Sequence, residues 1–183
     1  LRQETSFPEE QGTRLTVHAE QPVEFALQLR IPYWATKGGS VKINGDALPA
    51  FARPSSYLTI KRTWRDGDRV ELSLPMQLHS KPLPGDRTMQ AAMFGPLVLA
   101  ARMGGDGLTH EMQYDTTGKN IHPAGDPKAA PAPEVNAPDI AAAVAPAGAP
   151  LKFSATTGGQ RELIPLYKIS GERYAVYFKT LQG

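Results

Sequence analysis

The stretch Val23-Glu24-Phe25-Ala26-Leu27-Gln28-Leu29-Arg30-Ile31, bracketed by Pro22 and Pro32, decides the fold class. Val23, Phe25, Leu27, Leu29 and Ile31 are apolar, whereas Glu24, Gln28 and Arg30 between them are polar. Successive side chains of a strand point to opposite faces of a sheet, so a period of two predicts a half-buried antiparallel strand. Fully burying its apolar side chains would stabilise by roughly 1.5–3 kcal/mol each, against backbone ordering costs of about 1–2 kcal/mol per residue. Such a strand needs a facing layer, and the rest of the chain has to supply it.

The same alternation recurs on both sides of this stretch. Arg14 to Ala19 reads as a strand with Leu15 and Val17 on one face, and Val41 and Ile43 precede Asn44-Gly45, a dipeptide suited to a hairpin turn. Tyr57 to Trp64 alternates again, with Leu58, Ile60 and Trp64 on one side. Arg65-Asp66-Gly67-Asp68-Arg69 reads as a hairpin loop leading to Val70, Leu72 and Leu74. His79 to Arg87, with Pro82, Pro84 and Gly85, reads as a connection, and Met89 to Arg102 as a buried strand bent near Gly95-Pro96. Gly104 to Pro150 is rich in Ala, Pro and Gly and reads as a long exposed loop, with a short helical turn at Ile140 to Val144. Leu151 to Ser154, Leu163 to Ile169 and Tyr174 to Lys179 are further strands, with Gly171 in the last turn.

Strands joined by polar turns, without a long amphipathic helix, predict an all-β antiparallel sandwich. The proline-rich break divides it into two packed units, residues 1–84 and 85–183, the second carrying the loop 104–150; one larger sandwich is the competing arrangement.

Composition narrows the function. No apolar run reaches the length of about 18 residues that a membrane helix needs, so no membrane partner is expected. The 20 basic and 18 acidic residues are mixed along the chain, leaving a net charge of +2 and no concentrated basic surface, so no nucleic-acid partner is expected either. The absence of cysteine removes disulfides, thiol nucleophiles and thiolate metal sites from this chain. A start at Leu1 without a leader suggests a processed chain or an excised fragment, and periplasmic and secreted locations both stay open.

Candidate chemistry is sparse. Asp66 and Asp68 form a tempting carboxylate pair for glycoside hydrolysis, but their place around Gly67 is better explained by turn chemistry, and as calcium ligands they lack the twelve-position loop. His18, His79, His110 and His122 show no metal-ligand spacing, and Ser55, Ser56 and Ser170 no nucleophile elbow. No catalytic, cofactor or metal residue is therefore assigned. Tyr33, Trp34, Tyr57 and Trp64 lie at or near strand ends, where an aromatic face can pack internally or stack on a sugar. Tyr33 and Trp34 are the candidate carbohydrate-binding residues.

Several phrases act together: Phe7-Pro8-Glu9-Glu10, Leu29-Arg30-Ile31-Pro32-Tyr33-Trp34-Ala35, Val41-Lys42-Ile43-Asn44-Gly45 and Tyr57 to Trp64. Gly67-Asp68-Arg69-Val70-Glu71-Leu72, Leu74-Pro75-Met76 and Phe94-Gly95-Pro96-Leu97-Val98-Leu99-Ala100 follow. In order and spacing they resemble the C-terminal region of glycoside hydrolase family 127, the β-L-arabinofuranosidases and their relatives. Pro165 to Ile169 and Arg173 to Phe178 are similar to that family's closing strands, although Ser170 stands where many relatives carry a histidine. The resemblance implies an enzyme whose N-terminal (α/α) barrel carries a zinc-bound cysteine nucleophile and a glutamate, followed by β-sandwich domains. No catalytic residue carries over, because this chain has neither cysteine nor barrel helices. It implies a non-catalytic accessory region that packs on the barrel domain of the same protein, with a homodimer contact as a further expectation. A carbohydrate-binding module for plant-type glycans is the alternative.

Overall fold

The structure, a computed structural model, describes residues 1–108 and 131–181. Its elements are almost entirely strands, as the alternation predicts, and the chain divides into two compact units, Leu1–Gln77 and Leu78–Gly183.

The first unit contains β1 (Arg2–Glu4), β2 (Gly12–Thr16), β3 (Val23–Ile31), β4 (Ser40–Ile43), β5 (Asp46–Ala47), β6 (Ser56–Trp64) and β7 (Arg69–Ser73). β3 and β6 form a two-stranded antiparallel ribbon whose register runs from Val23 opposite Trp64 to Ile31 opposite Ser56. The other strands make a five-stranded sheet in the order β1-β2-β7-β4-β5. Burial along β3 is graded: Leu27, Leu29 and Ile31 are buried, Phe25 is half-buried and Val23 is exposed. The β6 residues Leu58, Ile60 and Trp64 extend the buried face of β3 within the ribbon, and the five-stranded sheet supplies the facing layer through Leu15, Val41, Val70 and Leu72. Asn44 and Gly45 both take positive φ, 54° and 94°, as a two-residue primed turn requires, and close the β4–β5 hairpin as expected.

The segment Arg65–Arg69 is not a hairpin loop. β6 pairs with β3, whereas β7 pairs with β2 and β4, so this turn carries the chain from one sheet to the other. Alternation fixes which face of a strand is buried but leaves its neighbour open, and here the neighbour differs from the adjacent strand in sequence. Gly67 N–H donates to Val17 O at 2.9 Å, and Val17 N–H to Asp68 O at 2.8 Å, which ties the crossing to the end of β2.

The second unit contains β8 (Leu78–Leu83), β9 (Asp86–Phe94), β10 (Leu97–Gly104), β11 (Glu134–Val135), β12 (Val144–Pro146), β13 (Phe153–Thr156), β14 (Gln160–Pro165), β15 (Arg173–Ala175) and β16 (Tyr177–Thr180). The stretch His79–Arg87 is not a plain connection: it is most of a β8–β9 hairpin turning at Gly85, φ 88°. Pro82 is accommodated because β8 pairs on one side alone among the described residues, and the register shifts there. That hairpin lies wholly in the second compact unit, which begins at Leu78. Gly95-Pro96 does not bend one strand; it turns β9 into β10, with Phe94 opposite Leu97. The closing segment breaks at Val176 because it changes partner, β15 pairing with β10 and β16 with β9.

Within the stretch expected as one exposed loop, residues 109–130 lie outside the described residues, and the remainder is partly structured. Asp139 caps a 3-10 turn at Ile140–Ala143, its Oδ1 accepting from Ala141 N–H at 2.8 Å. Val135, Ile140 and Val144 join Ala92, Leu99, Phe153, Leu163 and Phe178 in one core. Among the described residues of this stretch, the large apolar ones that are buried are Val135, Ile140 and Val144.

Candidate functional site

A cleft of about 520 Å³ opens in the first unit between the two sheets. Leu15 of β2 and Leu72 of β7 form its floor, and Phe7 and Trp34 line it as well, their rings stacked at 6.3 Å between centroids. Another side is Leu27, Gln28, Leu29 and Arg30, which are consecutive in β3, and Leu1, Gln3, Thr5, Gly12, Thr13 and Leu74 complete the lining. Neighbouring residues of a strand point to opposite faces, so four in a row line one cleft only where the cleft meets the strand's edge. That edge is the one away from β6, and among the described residues β3 pairs with no other strand. The cleft thus sets an open strand edge beside an apolar floor. Its lining holds no carboxylate, histidine or cysteine, so it contains no carboxylate or imidazole acid/base pair.

The structure separates the aromatic candidates. Trp34 is 8% exposed and lies in the cleft, whereas Tyr33 is 57% exposed and outside the lining. Tyr57 faces outward beneath the Arg30 guanidinium, 5.2 Å from the ring centre. Trp64 is fully buried; its Nε1–H donates to Phe25 O at 3.1 Å and its ring lies against Phe25 at 5.5 Å. Sequence reasoning singled out Trp34 but missed Phe7, Leu72 and the edge of β3, which are distant in sequence and meet only through sheet order.

Asp66 and Asp68 serve the turn. Asp68 Oδ1 accepts from Asn44 Nδ2 at 2.8 Å and Oδ2 from Arg65 N–H at 2.9 Å, while Asp66 Oδ1 accepts from Ala19 N–H at 3.2 Å. The Arg65 N–H, then the Asn44 amide, hold the Asp68 carboxyl below its ordinary pKa, with Arg62 and Arg65 adding charge attraction. Asn44 Oδ1 also accepts from Arg69 N–H at 2.8 Å, so one amide staples the β4–β5 turn to the crossing.

His18 lies 3.6 Å from Asp66 on the surface, and His79 Nε2 donates to Gly95 O at 2.9 Å. His110 and His122 lie outside the described residues. Ser56 Oγ donates to Arg53 O, Ser55 holds a positive φ of 62° and Ser170 is exposed. No group of three His, Asp or Glu able to hold a metal exists among the described residues. A zinc–thiolate centre does not fit this chain, which has no cysteine to ligate it.

In the second unit, Arg102 bridges Glu172 at 2.7 Å and Glu162 at 3.3 Å, and Lys152 reaches Glu162 at 3.2 Å. Lys152, then Arg102, hold Glu162 below its ordinary pKa against partial desolvation. These pairs link the turn before β13 to β14, β10 and the turn before β15, and they are a surface lattice rather than a catalytic centre.

Comparison with known proteins places this geometry. Residues 1–76 match the family described as β-L-arabinofuranosidase, GH127 middle domain, and residues 79–180 match a family described as a domain of unknown function. Among solved structures, a glycoside hydrolase aligns with a TM-score of 0.62 and 21% identity, over 98% of this chain and 32% of its own. A GH127 β-L-arabinofuranosidase from Geobacillus stearothermophilus T6 aligns at 0.58 and 23%, over 98% and 30%. A GH127 β-arabinofuranosidase aligns at 0.58 and 20%, over 98% and 31%. At these identities the structural likeness is one of fold, and the chain spans about a third of the length of the structures it matches. No curated protein matches it.

Proposed function

The chain is a GH127-related region, its residues 1–76 a GH127 middle domain and its residues 79–180 a member of the domain family of unknown function, and from that premise we propose that it is a non-catalytic accessory region of a larger glycoside hydrolase. The observation that carries this reading is the coverage: 98% of this chain aligns with about a third of each of the GH127 structures. The cysteine-free composition supports it, as does the engagement of the Asp66 and Asp68 carboxylates in turn hydrogen bonds. Its role is to pack on the catalytic (α/α) barrel domain of the same protein and to present a homodimer contact. Deleting residues 1–183 from the parent polypeptide is expected to lower the parent's thermal midpoint while the isolated chain stays folded. An unchanged midpoint, activity and oligomeric state in the deletion would overturn the reading.

Carbohydrate binding is the second reading, and exposed Tyr33 beside cleft-lining Trp34 favours it. Calorimetric titration with arabinan and arabinoxylan fragments is expected to show binding that Tyr33→Ala weakens. Flat titrations with the folded chain remove this reading and leave the first intact.

A further inference from the structure

We propose that the open edge of β3, with the cleft beside it, accepts an extended peptide segment as an added strand, with apolar side chains at alternate positions and acidic residues between them. This goes beyond the accessory reading and stands without it.

The backbone comes first. The cleft runs along Leu27–Arg30, so the N–H and C=O groups on that side of β3 face it, and among the described residues no strand satisfies them. Unpaired strand edges are templates for pairing, and proteins usually guard them with charge, proline or a covering loop. Between Glu24 and Arg30, the charged residues of β3, the stretch Phe25–Leu29 carries neither charge nor proline.

The floor comes second. Leu15, Leu72 and Trp34 line the same cleft, an apolar surface for the inward side chains of an added strand, which recur at about 7 Å. Four lining residues of β3 correspond to about 14 Å of extended chain, so a segment of about four to six residues fills the site. A small polar ligand would leave the apolar floor wet, whereas a strand satisfies floor and edge together.

Charge comes third. Arg30 points to the outer face, donates to Ser56 O at 3.4 Å and covers the Tyr57 ring. It pairs with no carboxylate among the described residues, so an acidic side chain on the outer face of the added strand complements it.

The test uses the 183-residue chain and the acetylated, amidated peptide Thr-Val-Glu-Val-Glu-Val-Thr. Trp34 is the only tryptophan lining the cleft, so titration is followed by tryptophan fluorescence and by amide exchange. The expected result is a saturable fluorescence change with slowed exchange confined to β3 and its flanks. Antiparallel partners alternate between hydrogen-bonded and non-hydrogen-bonded positions, so N-methylating one alternate set of peptide amides should cost about tenfold or more in affinity. Methylating the other set should cost little. Arg30→Glu, a change on an exposed side chain, should weaken binding by about tenfold. Absence of saturable binding, equal tolerance of both methylated sets, or slowed exchange away from β3 overturns the proposal.

Discussion

Asp68→Ala should destabilise the first unit severely, whereas Asp66→Ala, two residues away in the same turn, should barely register. The Asp68 carboxylate is almost wholly enclosed and accepts from Arg65 N–H and Asn44 Nδ2, so truncation strands two donors. Hydrogen bonds to charged groups are worth about 1.5–3 kcal/mol each, and water can reach part of the space left behind, so the expected loss is about 2–4 kcal/mol. Asp66 is 68% exposed and makes one bond of 3.2 Å to Ala19 N–H, for an expected loss of about 0.5–1 kcal/mol. Both tryptophans, Trp34 and Trp64, lie in this unit, so urea unfolding followed by tryptophan fluorescence reports on it alone. With a slope of about 2 kcal/mol per molar, the midpoint of Asp68→Ala falls by about 1–2 M. The pH dependence gives a second readout. Because the folded pKa of Asp68 lies below its ordinary value, its contribution is complete above that ordinary value and is lost as pH falls through the folded one. The gap between wild type and Asp68→Ala should therefore close in acid. Equal losses for the two alanine variants, or a gap that persists unchanged at low pH, would refute the assignment of Asp68 to the sheet crossing.

Ile140→Ala should cost about 2–5 kcal/mol, the range for a fully buried aliphatic side chain. Native-state amide exchange at Leu99 and Leu163 would read it, and a loss under about 1 kcal/mol would return this segment to the loop class. Gly39→Ala should destabilise by about 1–3 kcal/mol, because an added Cβ would meet the Ser73 carbonyl oxygen and come 2.8 Å from Phe51 Cζ. Gly45→Ala meets no atom within 4 Å, so only its positive φ opposes it, at about 1–2 kcal/mol. Thermal midpoints of the two variants, with Gly39→Ala the lower, check the ordering.

The parts of this fold legible from sequence are those where burial alternates cleanly. β3 and β6 announce themselves, and Asn44-Gly45 marks its hairpin because two consecutive positive φ values demand such residues. β1 was silent: Arg2–Glu4 is wholly exposed, held by pairing with β2 rather than by a buried face. β8 was hidden by Pro82, which an edge strand tolerates. Sheet order was beyond reach where the chain crosses between sheets, as at Arg65–Arg69, since the same apolar face suits a hairpin or a crossover. The cleft followed suit: Trp34 was visible as an aromatic near a strand end, but its neighbours Phe7 and Leu72 and the open edge of β3 are consequences of that order.

The measurement that bears most directly on the central claim is hydrolysis of an aryl β-L-arabinofuranoside by the purified 183-residue chain, run beside its unfolding curve. The scaffold account predicts a cooperative unfolding transition and no turnover above buffer, with and without added zinc. Turnover that is abolished by Asp66→Ala or Asp68→Asn in a chain that still unfolds cooperatively would contradict it.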